Sequence, residues 1–178
     1  MRPLLALPCL LVLAAPVAAE TGKTYVELSG VYTFISDSGF EVNPSAAKLT
    51  LGRELSDWLA AEAFVGTGIS SDNTNILGAN VNVEVDHLYG AHLRPFYRSS
   101  DGYEIFARAG YFHGRLSGSA IGPGGSAVFF AQDGSFSFGA GAAMPVGQNT
   151  KLTLDWMRYY QGGGTTINGV GAGIRFHF

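Results

Sequence analysis

Histidine offers the widest choice of chemistry in this chain, because an imidazole can bind a metal ion or carry a proton near neutral pH. The chain has four histidines, at positions 87, 92, 113 and 177. His87 and His92 are five residues apart and would point to opposite faces of a strand, which is poor geometry for a shared metal ion. We therefore predict no metal site and interpret each histidine as a hydrogen-bonded or solvated side chain.

A serine, a histidine and a carboxylate that meet at one place could instead support nucleophilic catalysis. His113, Ser117 or Ser119, and Asp133 are the candidates, and a glycine-rich segment would have to bring them together. The two glycine clusters of the chain do not open a helix, as phosphate-binding loops do. No catalytic residue and no cofactor is therefore predicted, and the expected protein is not an enzyme.

Charged residues in unusual positions are more informative. Single charges interrupt segments of small and apolar residues, and glycines recur beside them. These charged residues are Glu27, Lys48, Glu62, Arg108 and Asp155. Long charged side chains fit the narrow interior of a small barrel if glycines leave room, and they must pair there because water is scarce. We predict that these five residues are structural charges of a barrel lumen, with Glu62 facing Arg108.

The elements that would position these charges are β-strands. Alternation of apolar residues with small or polar ones recurs in eight segments, most of them about ten residues long. The segments are residues 24–34, 46–54, 58–69, 80–96, 103–115, 132–144, 151–160 and 168–178. In the fourth segment, the alternation predicts that the three valines from 81 to 85 share the apolar face of Tyr89 and Leu93.

The connections between these segments alternate in length. Short polar turns are predicted near residues 56–57, 99–102 and 147–150, and longer loops at 36–45, 70–78, 116–131 and 161–166. An even number of antiparallel strands, with short turns at one end and long loops at the other, is typical of an outer-membrane barrel. The predicted fold is therefore an all-β, eight-stranded, antiparallel up-and-down transmembrane β-barrel.

A soluble barrel of the lipocalin type would show the same alternation with its apolar face inward. Aromatic residues favour the membrane form, because they cluster near the segment ends, where the two interfaces of a bilayer would lie. Those near the short turns are Trp58, Phe96, Tyr97 and Tyr103, and those near the long loops are Tyr32, Phe34, Tyr111, Phe136, Tyr159 and Tyr160.

Residues 1–19 are predicted to be a cleaved signal peptide, which leaves 20–178 as the barrel domain. Arg2 precedes an apolar run, and small residues precede the expected cleavage site before Glu20. The run is too short and too interrupted by prolines for a membrane-spanning helix. The only cysteine, Cys9, lies in this leader, so no disulfide is expected in the mature protein.

Four stretches resemble the family of small eight-stranded outer-membrane barrels that includes OmpA-like transmembrane domains and opacity-type surface proteins. They are VEVDHLYGAHLRP (83–95), FARAGY (106–111), LTLDWMRYY (152–160) and GAGIRFHF (171–178). In the last stretch, Gly173, Phe176 and Phe178 resemble the C-terminal sorting signal that the barrel-insertion machinery reads. The sequence departs from the family pattern at Asp155 and Arg158, which are three residues apart, so Arg158 either faces outward at the rim or is redirected by a bulge.

The resemblance implies an integral outer-membrane protein with a plugged interior, whose role is envelope integrity or surface interaction through extracellular loops. The implied partners of this monomer are outer-membrane lipid and lipopolysaccharide, the barrel-insertion machinery and an extracellular ligand or host surface. Two alternatives stay open: an enzyme that modifies lipid A, and a narrow pore for small solutes. Nucleic acid is not an expected partner, because the net charge is −3 and a basic face is lacking.

Overall fold

A computed structural model describes residues 22–37, 40–76, 79–122 and 125–178. The strands are β1 (Thr24–Asp37), β2 (Phe40–Val42), β3 (Ser45–Glu54), β4 (Leu59–Ser70), β5 (Asp72–Ile76), β6 (Ala79–Arg98), β7 (Glu104–Gly122), β8 (Gly125–Pro145), β9 (Thr150–Gly162) and β10 (Thr165–His177). None of the described residues belongs to a helix that is long and apolar enough to cross a membrane. The predicted signal peptide at 1–19 lies outside the described residues and stays a prediction.

The strands close into a barrel. Eight of them are hydrogen-bonded in the order β1, β3, β4, β6, β7, β8, β9 and β10, and β10 returns to pair with β1. The closing pair is antiparallel and runs from Tyr25 opposite His177 to Ser36 opposite Thr166. In a closed ring every strand has a hydrogen-bonded neighbour on both sides, which is what a sheet surrounded by hydrocarbon requires. The predicted eight-stranded antiparallel barrel is confirmed.

The side chains alternate between the barrel interior and its outer surface. Along β1, Glu27, Ser29 and Val31 are buried, whereas Leu28 and Tyr32 are 60% and 49% exposed. The other strands of the ring also direct leucines, valines and aromatic rings outward. Such a continuous apolar surface suits acyl chains, so the charged side chains occupy the interior. We call the end with the short turns the inner end and the opposite end the outer end.

Two of the predicted belt aromatics face the interior. Exposed aromatic residues do occur near both ends: Trp58, Tyr97 and Tyr103 at the inner end, and Tyr32, Tyr111 and Phe136 at the outer end. Phe96 is instead buried, with the Arg94 guanidinium carbon 5.0 Å from the centre of its ring. Tyr159 is buried against Phe112, with ring centres 5.1 Å apart. The prediction was wrong at these two positions, because aromatic rings also support charges and fill space inside the barrel.

A bulge in β6 reverses the predicted orientation of its outer half. Asp86 has no partner in the register between β6 and β7, whereas Val85 and His87 on either side of it do. One extra residue shifts the alternation by one position, because strand side chains have a period of two. The three valines from 81 to 85 are therefore buried in the barrel. The prediction that they share the face of Tyr89 and Leu93 is wrong.

The longest predicted loop is a strand hairpin. β7 and β8 continue their pairing as far as Gly122 and Gly125, through the segment predicted as a loop at 116–131. β5 lies within another predicted loop, at 70–78, and pairs with β6. The small and polar residues of these two segments show no alternation of apolar side chains, so the sequence predicts loops. A β-ladder nevertheless forms, because it requires only paired backbone groups. Because about 9–11 residues suffice to cross a bilayer, the 19 residues of β7 and the 21 of β8 extend beyond it.

Glycine at inward positions lets neighbouring strands approach closely. A Cβ atom on Gly110 of β7 would overlap the carbonyl oxygen of Ala91 on β6, whereas a Cβ atom on the outward Gly30 would have no neighbour within 4 Å. We expect Gly110→Ala to lower the free energy of unfolding by about 1–3 kcal/mol, the usual cost of overpacking. The matched control, Gly30→Ala, should be neutral or slightly stabilising. Urea titration in lipid vesicles measures both, and equal stabilities would contradict the close approach.

Candidate functional site

The predicted lumen charges meet around one guanidinium group. Arg108 of β7 donates to Glu62 of β4, with Nε 2.7 Å from Oε2, and to Glu27 of β1, with Nη2 3.1 Å from Oε1. Its Nη1 also donates to the carboxylate of Asp155 on β9. All four side chains are almost completely buried. Arg108 therefore balances carboxylates from three other strands.

Lys48 of β3 joins the same group. Its Nζ is 3.9 Å from Oδ2 of Asp155 and 5.9 Å from the centre of the Phe64 ring. The structure thus places all five sequence-predicted charges in one buried region and brings Glu62 into direct contact with Arg108.

Three further charged residues belong to this network, although sequence reasoning does not single them out: Arg94, Glu104 and Arg175. Arg175 Nη2 is 2.6 Å from Oε2 of Glu27, and its Nη1 is 3.1 Å from Oε2 of Glu104. Arg94 Nη2 is 2.6 Å from the same oxygen of Glu104. The alternation puts each of the three on the inward face, which is the signal that could have identified them. We call these eight charged residues the lumen cluster.

Aromatic rings support the arginines of the lumen cluster. The guanidinium carbons of Arg94 and Arg108 lie 4.3 and 4.7 Å from the centre of the Phe106 ring. The guanidinium carbon of Arg175 lies 4.6 Å from the centre of the Tyr25 ring. A cation near an aromatic face is attracted by the charge distribution of the ring, most strongly where water is excluded. Rings and ion pairs together fill the barrel at this level, as expected for a ring of eight strands.

Tyr25 also holds the lumen cluster through its hydroxyl group, which donates a 2.6 Å hydrogen bond to Oε1 of Glu62. We expect Tyr25→Phe to lower the free energy of unfolding by about 1.5–3 kcal/mol, because hydrogen bonds to charged groups contribute that much. Tyr32→Phe, on the outward face, is the control and should stay within about 0.5 kcal/mol of the parent. Urea titration in vesicles tests both, and a Tyr25 variant as stable as its control would contradict this role.

At the inner end, Glu104 contacts two more cations. Its Oε1 lies 2.8 Å from Nε of Arg98 and 2.6 Å from Nζ of Lys151. Glu54, Glu104 and His177 are close enough together to offer three ligand atoms to a metal ion. However, guanidinium and ammonium groups already neutralise the two carboxylates, and a divalent cation would have to displace them. The surrounding charges therefore do not favour a metal at this group.

The rim residues considered for nucleophilic catalysis contact other groups instead of one another. The Ser117 hydroxyl is 2.5 Å from Oδ1 of Asp86. Nε2 of His113 is 3.0 Å from Nε2 of Gln132, and the Asp133 carboxylate accepts a hydrogen bond from the backbone N–H of the next residue. The described contacts therefore do not link a serine, an imidazole and a carboxylate in the order that a triad needs.

His87 and His92 lie on opposite faces of β6. His92 is buried, its ring stacks on Phe64 with centres 4.7 Å apart, and its Nε2 is 2.8 Å from the Ser137 hydroxyl oxygen. His87 is exposed and lies beside Tyr89, with ring centres 6.4 Å apart. The two imidazoles therefore cannot share a ligand.

Arg158 lies on the outward face of β9, which settles the choice between an outward and a redirected side chain. Its guanidinium carbon is 5.8 Å from the centre of the Trp156 ring and 6.0 Å from that of Phe138. Its Nε donates to Oδ1 of Asn168 at 3.1 Å. β9 has a bulge next to Arg158, where Tyr159 has no partner in the register with β10. This bulge does not turn Arg158 inward.

The residues of the predicted sorting signal lie near the inner end of β10. Phe176 and Phe178 are exposed on the outward face, and Gly173 lies opposite Ser29 of β1 on the inward face. Their recognition by insertion machinery stays a prediction.

The closed ring with a charged interior and an apolar exterior agrees with a comparison of the sequence with protein families. The family described as outer membrane protein beta-barrel domain matches residues 5–178. The chain belongs to this outer-membrane β-barrel family. Membership implies that the barrel resides in the outer membrane of a bacterium. A comparison with curated individual proteins gives no match.

Solved structures of outer-membrane barrels share the fold. Ail, the attachment invasion locus protein of Yersinia pestis, is 13% identical with a TM-score of 0.64, over 88% of this chain and 99% of that chain. Neisserial surface protein A is 14% identical with a TM-score of 0.64, over 89% and 100%. The N-terminal β-barrel domain of Pseudomonas aeruginosa OprF is 15% identical with a TM-score of 0.59, over 89% and 100%. At these identities, the similarity concerns the fold alone.

Proposed function

We propose that this outer-membrane protein is a closed, non-enzymatic barrel that does not conduct solutes and that acts in envelope integrity or surface interaction through its extracellular hairpins. The observation that carries the proposal is the lumen cluster, which fills the middle of the barrel with paired charges. In this proposal the chain is exported with a cleaved signal peptide and works as a monomer among outer-membrane lipid and lipopolysaccharide.

The contacts of Arg108 support a closed interior. The side chain is 1% exposed and contacts carboxylates on three other strands. A solute that crossed the barrel would have to break these ion pairs, and separating a buried pair typically costs about 3–5 kcal/mol. Such a cost opposes steady conduction.

Planar-bilayer recording tests the closed interior. The purified protein should give no steady discrete openings, while a porin in the same lipid serves as the positive control for reconstitution. Reproducible openings that scale with the amount of protein would contradict the proposal and favour a narrow pore.

Lipid A analysis tests the absence of enzymatic activity. Strains with and without the protein should give the same acyl pattern in mass spectra of lipid A. A protein-dependent change in that pattern would favour the alternative of a lipid A-modifying enzyme.

The hairpin of β7 and β8 is the best target for a test of the extracellular role. Arg115 pairs with Gln132, so a two-residue Asn-Gly turn can join them in place of 116–131. The shortened protein should keep the heat-modifiable migration of a folded barrel. We expect the full-length protein to give a host strain adherence or detergent resistance, and the shortened protein to lose this effect. Equal phenotypes of the two proteins would contradict a role for this hairpin.

A further inference from the structure

A cavity of about 430 Å³ lies in the outer half of the barrel, on the outer side of the lumen cluster. Most of its wall is apolar and includes Val31, Ile35, Leu88, Phe112, Leu116 and Ile167. Small-molecule sites typically occupy about 300–1,000 Å³ and are lined mainly by hydrophobic and aromatic side chains. The volume and lining therefore fit an apolar ligand.

The backbone ladder of the barrel wall is interrupted beside this cavity. β8 and β9 pair only from Pro145 opposite Lys151 to Phe138 opposite Arg158. Farther outward, β8 continues in its pairing with β7, and β9 continues in its pairing with β10. The two strands thus separate at the level of the outer aromatic residues, and we call this separation the lateral gap.

Residues on both sides of the lateral gap also line the cavity. They are Gln132 and Asp133 on β8, and Tyr159 and Tyr160 on β9. The Tyr160 hydroxyl and the Asp133 carboxylate interact across the gap. In the lateral gap, this side-chain contact joins the two strands. Nearer the inner end, a backbone ladder joins them. A molecule at the outer interface of the membrane would reach the cavity by displacing this side-chain contact, without breaking a backbone ladder.

Arg158 is at the base of the lateral gap and faces outward. Its hydrogen bonds, both 3.1 Å long, go to the side-chain oxygens of Asn168 and Gln161. Among the interactions that the structure describes for this residue, no carboxylate balances its charge. A guanidinium group has the planar donor geometry that binds carboxylates and phosphates well.

We propose that the outer cavity binds the alkyl chain of an acidic amphiphile, which enters through the lateral gap and leaves its headgroup beside Arg158. The apolar wall accepts the chain, and the guanidinium group selects the acidic head. A free fatty acid and an acidic membrane lipid share this chemistry.

Photolabelling of the full-length protein in phosphatidylcholine vesicles tests the proposal. One probe is palmitic acid with a diazirine near the chain end, and the other is phosphatidylglycerol with the same photoreactive chain. We expect adducts on the inward residues Phe112 and Leu116. Labelling by the fatty acid alone assigns the site to a free amphiphile, whereas labelling by the phospholipid assigns it to a membrane lipid. Adducts confined to outward residues such as Leu154 would overturn the proposal.

Two variants identify the determinants of binding. Val85→Trp fills the cavity, because Val85 is part of its wall, and should abolish labelling inside the barrel without changing labelling outside. Arg158→Gln should reduce labelling inside the barrel several-fold. Arg53→Gln, at an outward position of β3 near the inner end, is the matched control and should leave it unchanged. Heat-modifiable migration verifies that each variant is folded.

Competition isolates the role of the headgroup. Unlabelled palmitic acid should compete several-fold better than the neutral alcohol of the same chain length, and Arg158→Gln should remove this preference. This measurement compares two ligands on one protein, so it does not depend on the folding of Val85→Trp. An equal effect of acid and alcohol on the parent protein would overturn the assignment of Arg158.

Discussion

Replacing Arg108 with alanine is expected to lower the free energy of unfolding by about 3–5 kcal/mol, the usual cost of removing one partner from a buried ion pair. The guanidinium group contacts Glu27, Glu62 and Asp155, and all four side chains are buried. Without it, three carboxylates would face one another where little water can screen them. Urea titration in lipid vesicles, followed by the gel shift of the folded barrel, measures the loss.

Two further variants separate this electrostatic effect from lost packing. Arg53→Ala removes the same atoms from an outward position and should cost far less. Adding Glu62→Gln to Arg108→Ala should restore part of the stability, because it removes one of the unbalanced charges. Coupling between residues in direct contact is typically about 0.5–3 kcal/mol. An Arg108→Ala protein as stable as Arg53→Ala would contradict the inward assignment of the lumen charges.

Replacing Leu154 with arginine is expected to lower the free energy of unfolding in vesicles by about 2–4 kcal/mol, the cost of a basic side chain on a barrel surface near the middle of a bilayer. Leu154 is 59% exposed and lies between Ala142 of β8 and Ala172 of β10. At this position in a membrane barrel, acyl chains cover the leucine side chain.

Val146→Arg is the matched control for Leu154→Arg. Val146 is also exposed, but it lies beside the short turn between β8 and β9 at the inner end. Near the interface the same substitution should cost only about 0–1 kcal/mol. Equal losses at the two positions would show that the exterior does not contact hydrocarbon, and would remove the basis for a transmembrane barrel.

The strand number, the order of the strands and the inward face of most strands could be predicted from the sequence, because alternation with a period of two determines them together. The orientation of the side chains in the outer half of β6 could not be predicted, because the residue types do not mark the bulge at Asp86. Valines at 81, 83 and 85 fit an apolar surface equally well whether that surface faces lipid or the barrel interior. The same limit explains the predicted loop at 116–131, whose small polar residues form a ladder through the backbone.

The partners in the lumen were harder to predict than its residue types. Glu27 and Arg175 are in contact although 148 positions separate them, and their pairing depends on the exact register with which β10 meets β1. Sequence alternation indicates that both side chains point inward, but it does not give their height along the barrel axis. The error at Phe96 has a different origin: its position next to a short turn suggested an interfacial ring, whereas alternation puts it on the inward face of Arg94, against which it lies.

The contact between Glu27 on β1 and Arg175 on β10 has a consequence for how the chain reaches its native state. The final strand of the ring supplies one of the two guanidinium groups that contact Glu27, so a sheet without β10 would leave this carboxylate with Arg108 alone. Ring closure and the charge balance of Glu27 are thereby linked, because the two ends of the sheet must meet before this carboxylate has both of its guanidinium partners.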